Sequence, residues 1–134
     1  MANTALAVSG DEQILSRNEQ LTRGFFAAWE RADADAIVAA FAEDGIYHNV
    51  PYKPISGSEK IHRAITGILK IGENMTFDIS KMVVAGDTVV TERVDGWTHE
   101  GERKGLPVLG ILEFNDAGKI SSLREYFDVK AFEG

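Results

Sequence analysis

The apolar positions of this chain change period once, near residue 75. Before that point they recur at helical spacing; after it they alternate as strands do. Leu21, Phe25 and Trp29 stand four residues apart with Phe26 beside them, which makes one apolar stripe. Asp33 is placed to cap a second helix carrying Ile37, Val38 and Phe41, with Gly45 as its stop. Residues 46–50 read as a short strand halted by Pro51, and Pro51-Tyr52-Lys53-Pro54 as a rigid loop. Ser56-Gly57-Ser58-Glu59 fits a capping box that opens a third helix with Ile61, Ile65, Ile68 and Leu69. Strands are expected at about 75–85, 87–98, 104–114 and 118–128, with hairpin turns at Ala85-Gly86-Asp87 and Asn115-Asp116-Ala117-Gly118. The layout is α+β: helices cover one face of a curved antiparallel sheet. Such a sheet makes a cone, and its mouth is a natural small-molecule pocket.

A length of 134 residues suits one domain. Residues 1–11 read as a flexible tail and not as a signal peptide, and 12–134 as the single domain. The chain has no cysteine, which removes disulfides, thiol nucleophiles and Cys-based metal sites, and a reducing cytoplasm fits. A net charge of −7 disfavours nucleic acid and anionic membrane as partners. No apolar run reaches the roughly eighteen residues of a membrane span.

Two phrases hold polar residues two positions apart, where strands point side chains to one face, Tyr47-His48-Asn49 and Arg93-Val94-Asp95, and at the same spacing Glu125 stands between Leu123 and Phe127. Arg93 and Asp95 face inward if Trp97 does; the alternative puts Val90, Glu92 and Val94 inside, and the pattern leaves this open. Leu123 and Phe127 favour an inward Glu125. Arg124, Tyr126 and Asp128 fall on the opposite face and read as surface or interface residues. Tyr47 and Asn49 are neutral hydrogen-bonding groups suited to holding a water or a substrate oxygen, or to pairing quietly in the core. His48, His62 and His99 have no metal-ligand spacing, and no nucleophile elbow, P-loop or dinucleotide glycine pattern is present.

Phe25-Phe26-Ala27-Ala28-Trp29, Tyr47-His48-Asn49-Val50-Pro51, Thr91-Glu92-Arg93-Val94-Asp95 and Arg124-Glu125-Tyr126-Phe127-Asp128 occur in that order. In this the chain resembles the limonene-1,2-epoxide hydrolase family, part of the larger NTF2-like (SnoaL-like) group of cone-shaped domains with a curved antiparallel or mixed sheet. The resemblance covers nearly everything after about residue 12. It implies a cofactor-independent enzyme that adds water to a small hydrophobic epoxide in one step. Asp95 would be the general acid, Arg93 the bridge, Glu125 the general base, and Tyr47 and Asn49 the holders of the water. The same resemblance puts Ile68, Trp97, Leu106, Val108 and Phe132 in the pocket wall and implies a homodimer, with no metal or organic cofactor.

The chain departs from the family pattern at Glu125, where that pattern has aspartate. Either carboxylate can serve as base, since their reference pKa values differ by only about 0.4. Geometry matters more: a misplacement of about 1 Å can cost about 10²-fold in rate. The same cone also hosts isomerases and cyclases. A ketosteroid-isomerase-like or polyketide-cyclase-like enzyme therefore stands as one alternative, and a non-catalytic small-ligand-binding domain as another.

Overall fold

A computed structural model describes residues 10–134. The elements run α1 (Gly10–Glu30), α2 (Ala34–Ala39), β1 (Phe41–Asn49), β2 (Ile55–Ser56), α3 (Ser58–Ile71), β3 (Glu73–Ala85), β4 (Thr88–His99), β5 (Glu102–Phe114), β6 (Ile120–Tyr126) and α4 (Val129–Glu133). The six strands form one sheet in the order β2-β1-β6-β5-β4-β3. All neighbours are antiparallel except β1 and β6, which run parallel. The architecture is the expected α+β cone. Most of the tail expected over 1–11 lies outside the described residues, and Gly10 and Asp11 belong to α1.

The stripe on α1 is buried as its spacing requires: Phe25, Phe26 and Trp29 enter the core with Ile37, Ile61, Ile65, Leu112 and Leu123. Two polar residues of α1 are fully buried with them. Asn18 donates to the Gly86 carbonyl at 3.1 Å, and Thr22 donates to the Asn18 carbonyl at 2.8 Å. These bonds satisfy the buried groups and tie α1 to the β3–β4 turn. Asp33 caps α2 as expected, its carboxylate accepting from the Ala36 amide at 3.0 Å.

The second helix is shorter than its pattern suggests. It ends at Ala39, so Phe41 and Gly45 belong to β1. Phe41 pairs with Ile120, whose amide donates to the Ala40 carbonyl at 2.8 Å, and these long-range sheet bonds override the local helical spacing. Gly45 is therefore no helix stop. It sits where the β1–β6 register shifts, and a Cβ there would lie 2.9 Å from the carbonyl oxygens of Ala42 and Ile120. Only glycine allows that close approach.

The capping box also fails to form. The cap of α3 is Gly57, at φ 91 and without a side-chain bond, because Ser56 is drawn into β2 opposite Ile46. The last strand stops at Tyr126, two residues early, and Asp128 instead caps α4 by accepting from the Lys130 amide at 2.9 Å. Arg124 does face away from the core, but its partner is Glu113 at 2.6 Å.

Candidate active site

The β4 face left open by sequence resolves inward for Arg93. Val89, Thr91 and Arg93 are buried, whereas Val94 is exposed. The physical reason is visible in the partners. All five N–H groups of the guanidinium find acceptors, so its burial leaves no donor unpaired. Nε and Nη2 donate to the two oxygens of Asp95 at 2.9 and 2.8 Å. Nη1 donates to the Thr91 hydroxyl at 2.8 Å and to Glu125 Oε1 at 3.3 Å, and Nη2 also donates to Glu125 Oε2. The Phe26 ring lies beneath the cation, 4.4 Å from its centre. The Arg93 side chain is 1% exposed, Glu125 8% and Asp95 18%, so Asp95 is the carboxylate nearest solvent.

Strand register brings these groups together. Glu125 on β6 stands opposite Gly110 on β5, and Gly110 opposite Thr91 on β4. On its other side Glu125 pairs with Asn49 on β1, and Leu123 with Tyr47. Tyr47 is buried, and Ile46 beside it is exposed, as the period-2 reading requires.

Burial governs the protonation of the inner groups. It pushes the Glu125 carboxyl up; Arg93 pulls it back down, and the charge of Asp95 raises it further, with a net rise. Burial, then the charge of Glu125, raise the Tyr47 phenol, so it stays a neutral hydrogen-bonding group. Desolvation works against the Arg93 cation, but Glu125 and Asp95 override it and raise its pKa. Two carboxyls on one guanidinium form a coupled set, in which a proton belongs to the cluster.

The cluster opens into a cavity of about 320 Å³. Asp95, Arg93, Glu125, Tyr47 and Asn49 all line it. So do Ile68, Trp97, Leu106, Val108 and Phe132. The rest of the wall is strongly apolar and aromatic, including Phe25, Phe26, Trp29, Met75 and Phe77. The first three read from sequence as core alone. Phe77 escaped notice because only the β3–β4 register, which sets it opposite Asp95, brings it near the site. Thr91 was also missed, although period 2 from Arg93 places it on the same face. At the mouth, Phe132 of α4 packs against Trp97, Phe127 and Tyr52, with ring centres 5.6 to 6.4 Å apart. The Tyr52 hydroxyl donates to Glu133 at 2.5 Å and ties α4 to the β1–β2 loop.

Such a site has an acceptor, a potential proton donor and neutral oxygen-binding groups in one apolar chamber. Among the described residues no three His, Asp or Glu side chains come together to hold a metal ion.

A family model for the SnoaL-like domain matches residues 22–123. The epoxide hydrolase EphG of Mycobacterium tuberculosis is 31% identical over 107 residues, covering 78% of this chain and 69% of that protein. A solved LEH-like epoxide hydrolase from the same organism superposes with a TM-score of 0.78 at 27% identity, over 89% of both chains. A protein of ketosteroid-isomerase-like fold from Catenulispora acidiphila, solved with trimethylamine, gives a TM-score of 0.75 at 25% identity, over 83% of this chain and 87% of that one. The chain belongs to the SnoaL-like, NTF2-like family.

Proposed function

We propose that this SnoaL-like protein is a cofactor-independent epoxide hydrolase that adds water to a small hydrophobic epoxide, of terpene or cycloalkene type, giving a vicinal diol. One observation carries the reading: Arg93 is held between Asp95 and Glu125 at the base of an apolar cavity. Similarity to epoxide hydrolase from Mycobacterium tuberculosis, in sequence and in structure, supports it.

An epoxide oxygen is a weak base, so opening the ring at neutral pH calls for a proton donor against it. Asp95, the carboxyl most open to the cavity, fills that role. Glu125 lies next to Asn49 in the strand register and takes a proton from the water that Tyr47 and Asn49 hold. The water oxygen forms a bond to one epoxide carbon as that carbon's bond to the ring oxygen breaks. Glu125 gains one proton and Asp95 gives one, so the overall change is epoxide plus water to diol. Arg93 bridges the two carboxyls and keeps them in reach of one shared proton. Ile68, Trp97, Leu106, Val108 and Phe132 enclose the hydrocarbon part of the substrate.

The isomerase and cyclase readings need one base and an oxyanion held by neutral donors. A second carboxylate paired to the same arginine is surplus to them, which favours the hydrolase. A homodimer joined through the outer sheet face fits the exposed Val94, Leu109 and Tyr126, and a cytoplasmic setting fits a chain without cysteine. Among the described residues no helix is long and apolar enough to cross a membrane.

The test is incubation with small cyclic and terpene epoxides in ¹⁸O-labelled water, reading the diol by mass spectrometry under single-turnover conditions. Labelled diol in the first turnover supports direct attack by water. No diol from any epoxide, with the protein folded, moves the weight to isomerase, cyclase or binding.

A further inference from the structure

The α-carbon of Gly110 lies against the two groups that meet at the heart of the site. A Cβ built there would overlap Arg93 Nη1 and stand 2.8 Å from Glu125 Oε1 and 3.1 Å from the Thr91 hydroxyl. The glycine is not there for its backbone, because the glycines at positive φ are Gly57, Gly86, Gly101 and Gly118. Its role is space. An arginine tip can usually swing away from a new methyl group, but this one is pinned. Asp95 holds it by two bonds, Thr91 by a third, and Phe26 lies beneath it.

We propose that Gly110 and Thr91 are positioning residues of this site, forming the seat in which a long carboxylate, glutamate, meets Arg93. The seat rests on the reading of Arg93, Asp95 and Glu125 as the reacting cluster. Thr91 fixes Nη1 from one side, and the missing Cβ of Gly110 leaves room for Glu125 Oε1 on the other. Aspartate at 125 would fall short of the guanidinium by about one C–C bond and would need only the part of the gap that Arg93 Nη1 occupies. Residues 110 and 125 are therefore coupled: the space at one matches the length at the other.

The charged and titratable groups facing Glu125 are Arg93 and Asp95 from β4 and Tyr47 from β1. From β5, α1 and β3 the cavity offers Val108, Phe26 and Phe77, which do not titrate. Arg93 is thus the one cation holding the Glu125 carboxyl down among the described residues. Displacing it must raise that carboxyl further, and with it the acid limb of the pH–rate profile.

The experiment is Gly110→Ala, with the Glu125 carboxyl followed by ¹³C NMR titration as the resonance that Glu125→Gln deletes, beside the pH dependence of epoxide hydrolysis. The folded variant is expected to titrate Glu125 higher by about one pH unit, since a nearby opposite charge lowers a carboxylate by about 1–3 units. Its kcat should fall by about 10–10²-fold with KM nearly unchanged. Adding Glu125→Asp to Gly110→Ala should restore about tenfold of that loss, which a merely structural glycine would not allow. An unchanged Glu125 titration and pH profile in folded Gly110→Ala would overturn the proposal, as would strict additivity with Glu125→Asp. If Gly110→Ala does not fold, Thr91→Val takes its place. It keeps the shape and removes one of the two acceptors of Nη1, and an unmoved Glu125 titration there sinks the idea. If the wild-type protein opens no epoxide, the hydrolase reading fails, while the NMR titration still decides the seat.

Discussion

Asn49 and Glu125 stand directly opposite each other across the parallel pairing of β1 with β6. That pairing joins residues far apart in the chain and sets a neutral amide beside the most deeply buried carboxylate of the cluster. It also places the Tyr47 phenol, two residues earlier on β1 and on the same face, over the same cavity. The proposed roles make both residues positioners of water. Tyr47→Phe and Asn49→Ala should each lower kcat by about 10–10²-fold while KM changes little. Steady-state kinetics on one epoxide decide this, and a loss confined to KM would assign these residues to substrate instead.

Asp95→Asn should fold and lose about 10³-fold or more in turnover, because an amide has no acidic proton for the epoxide oxygen. Circular dichroism and a thermal midpoint establish the fold, and diol formation reads the activity. Retained activity would remove Asp95 as the acid.

Glu125→Gln should abolish hydrolysis to a similar degree, since the amide cannot accept the proton of water. Glu125→Asp keeps the charge and shortens the arm, so a loss of about 10²-fold is expected, expressed in kcat. A rate that rises on limonene epoxide would mean that the pocket has diverged in substrate and not in reaction. Hydrolysis untouched by Glu125→Gln would show that the base lies elsewhere.

The pH dependence has a definite sign. Glu125 must be ionised to act as base, and burial raises its pKa above the ordinary 4.5. The rate should therefore begin to fall, as pH drops, at a higher pH than an exposed glutamate would give. Stability moves the opposite way. The folded state binds the Glu125 proton more tightly than the unfolded chain does, so this group's contribution is present below 4.5 and is lost as pH rises through the folded value. Denaturant midpoints of wild type and Glu125→Gln across that window measure the difference. A difference that does not change with pH would contradict the raised value.

Arg93→Lys should be costly although the charge is kept. An ammonium has three donors where the guanidinium makes five bonds, and it cannot grip Asp95 with two parallel ones. Loss of about 1–3 kcal/mol of stability is expected from buried acceptors left unpaired, and chemical denaturation reads it directly. A variant as stable as wild type would show that water replaces the missing bonds.

Local pattern alone was enough for the α+β layout, the amphipathic stripe of α1, the four long strands and their glycine turns. Each follows from residues within one or two turns of one another, through side-chain periodicity and backbone preference. The same periodicity paired Tyr47 with Asn49 and Arg93 with Asp95, and the apolar neighbours of Glu125 turned it inward. The tertiary structure decided what no local window contains. It drew Phe41 and Gly45 out of a helix and into β1, because sheet bonds to Ile120 outweigh helical spacing. It resolved the facing of Arg93, because burying a guanidinium is tolerable only where Asp95, Glu125 and Thr91 meet all its donors. It also placed Phe77 beside Asp95 and left Gly110 bare beneath Glu125, since cross-strand register is set by the packing of the whole sheet and not by any single strand.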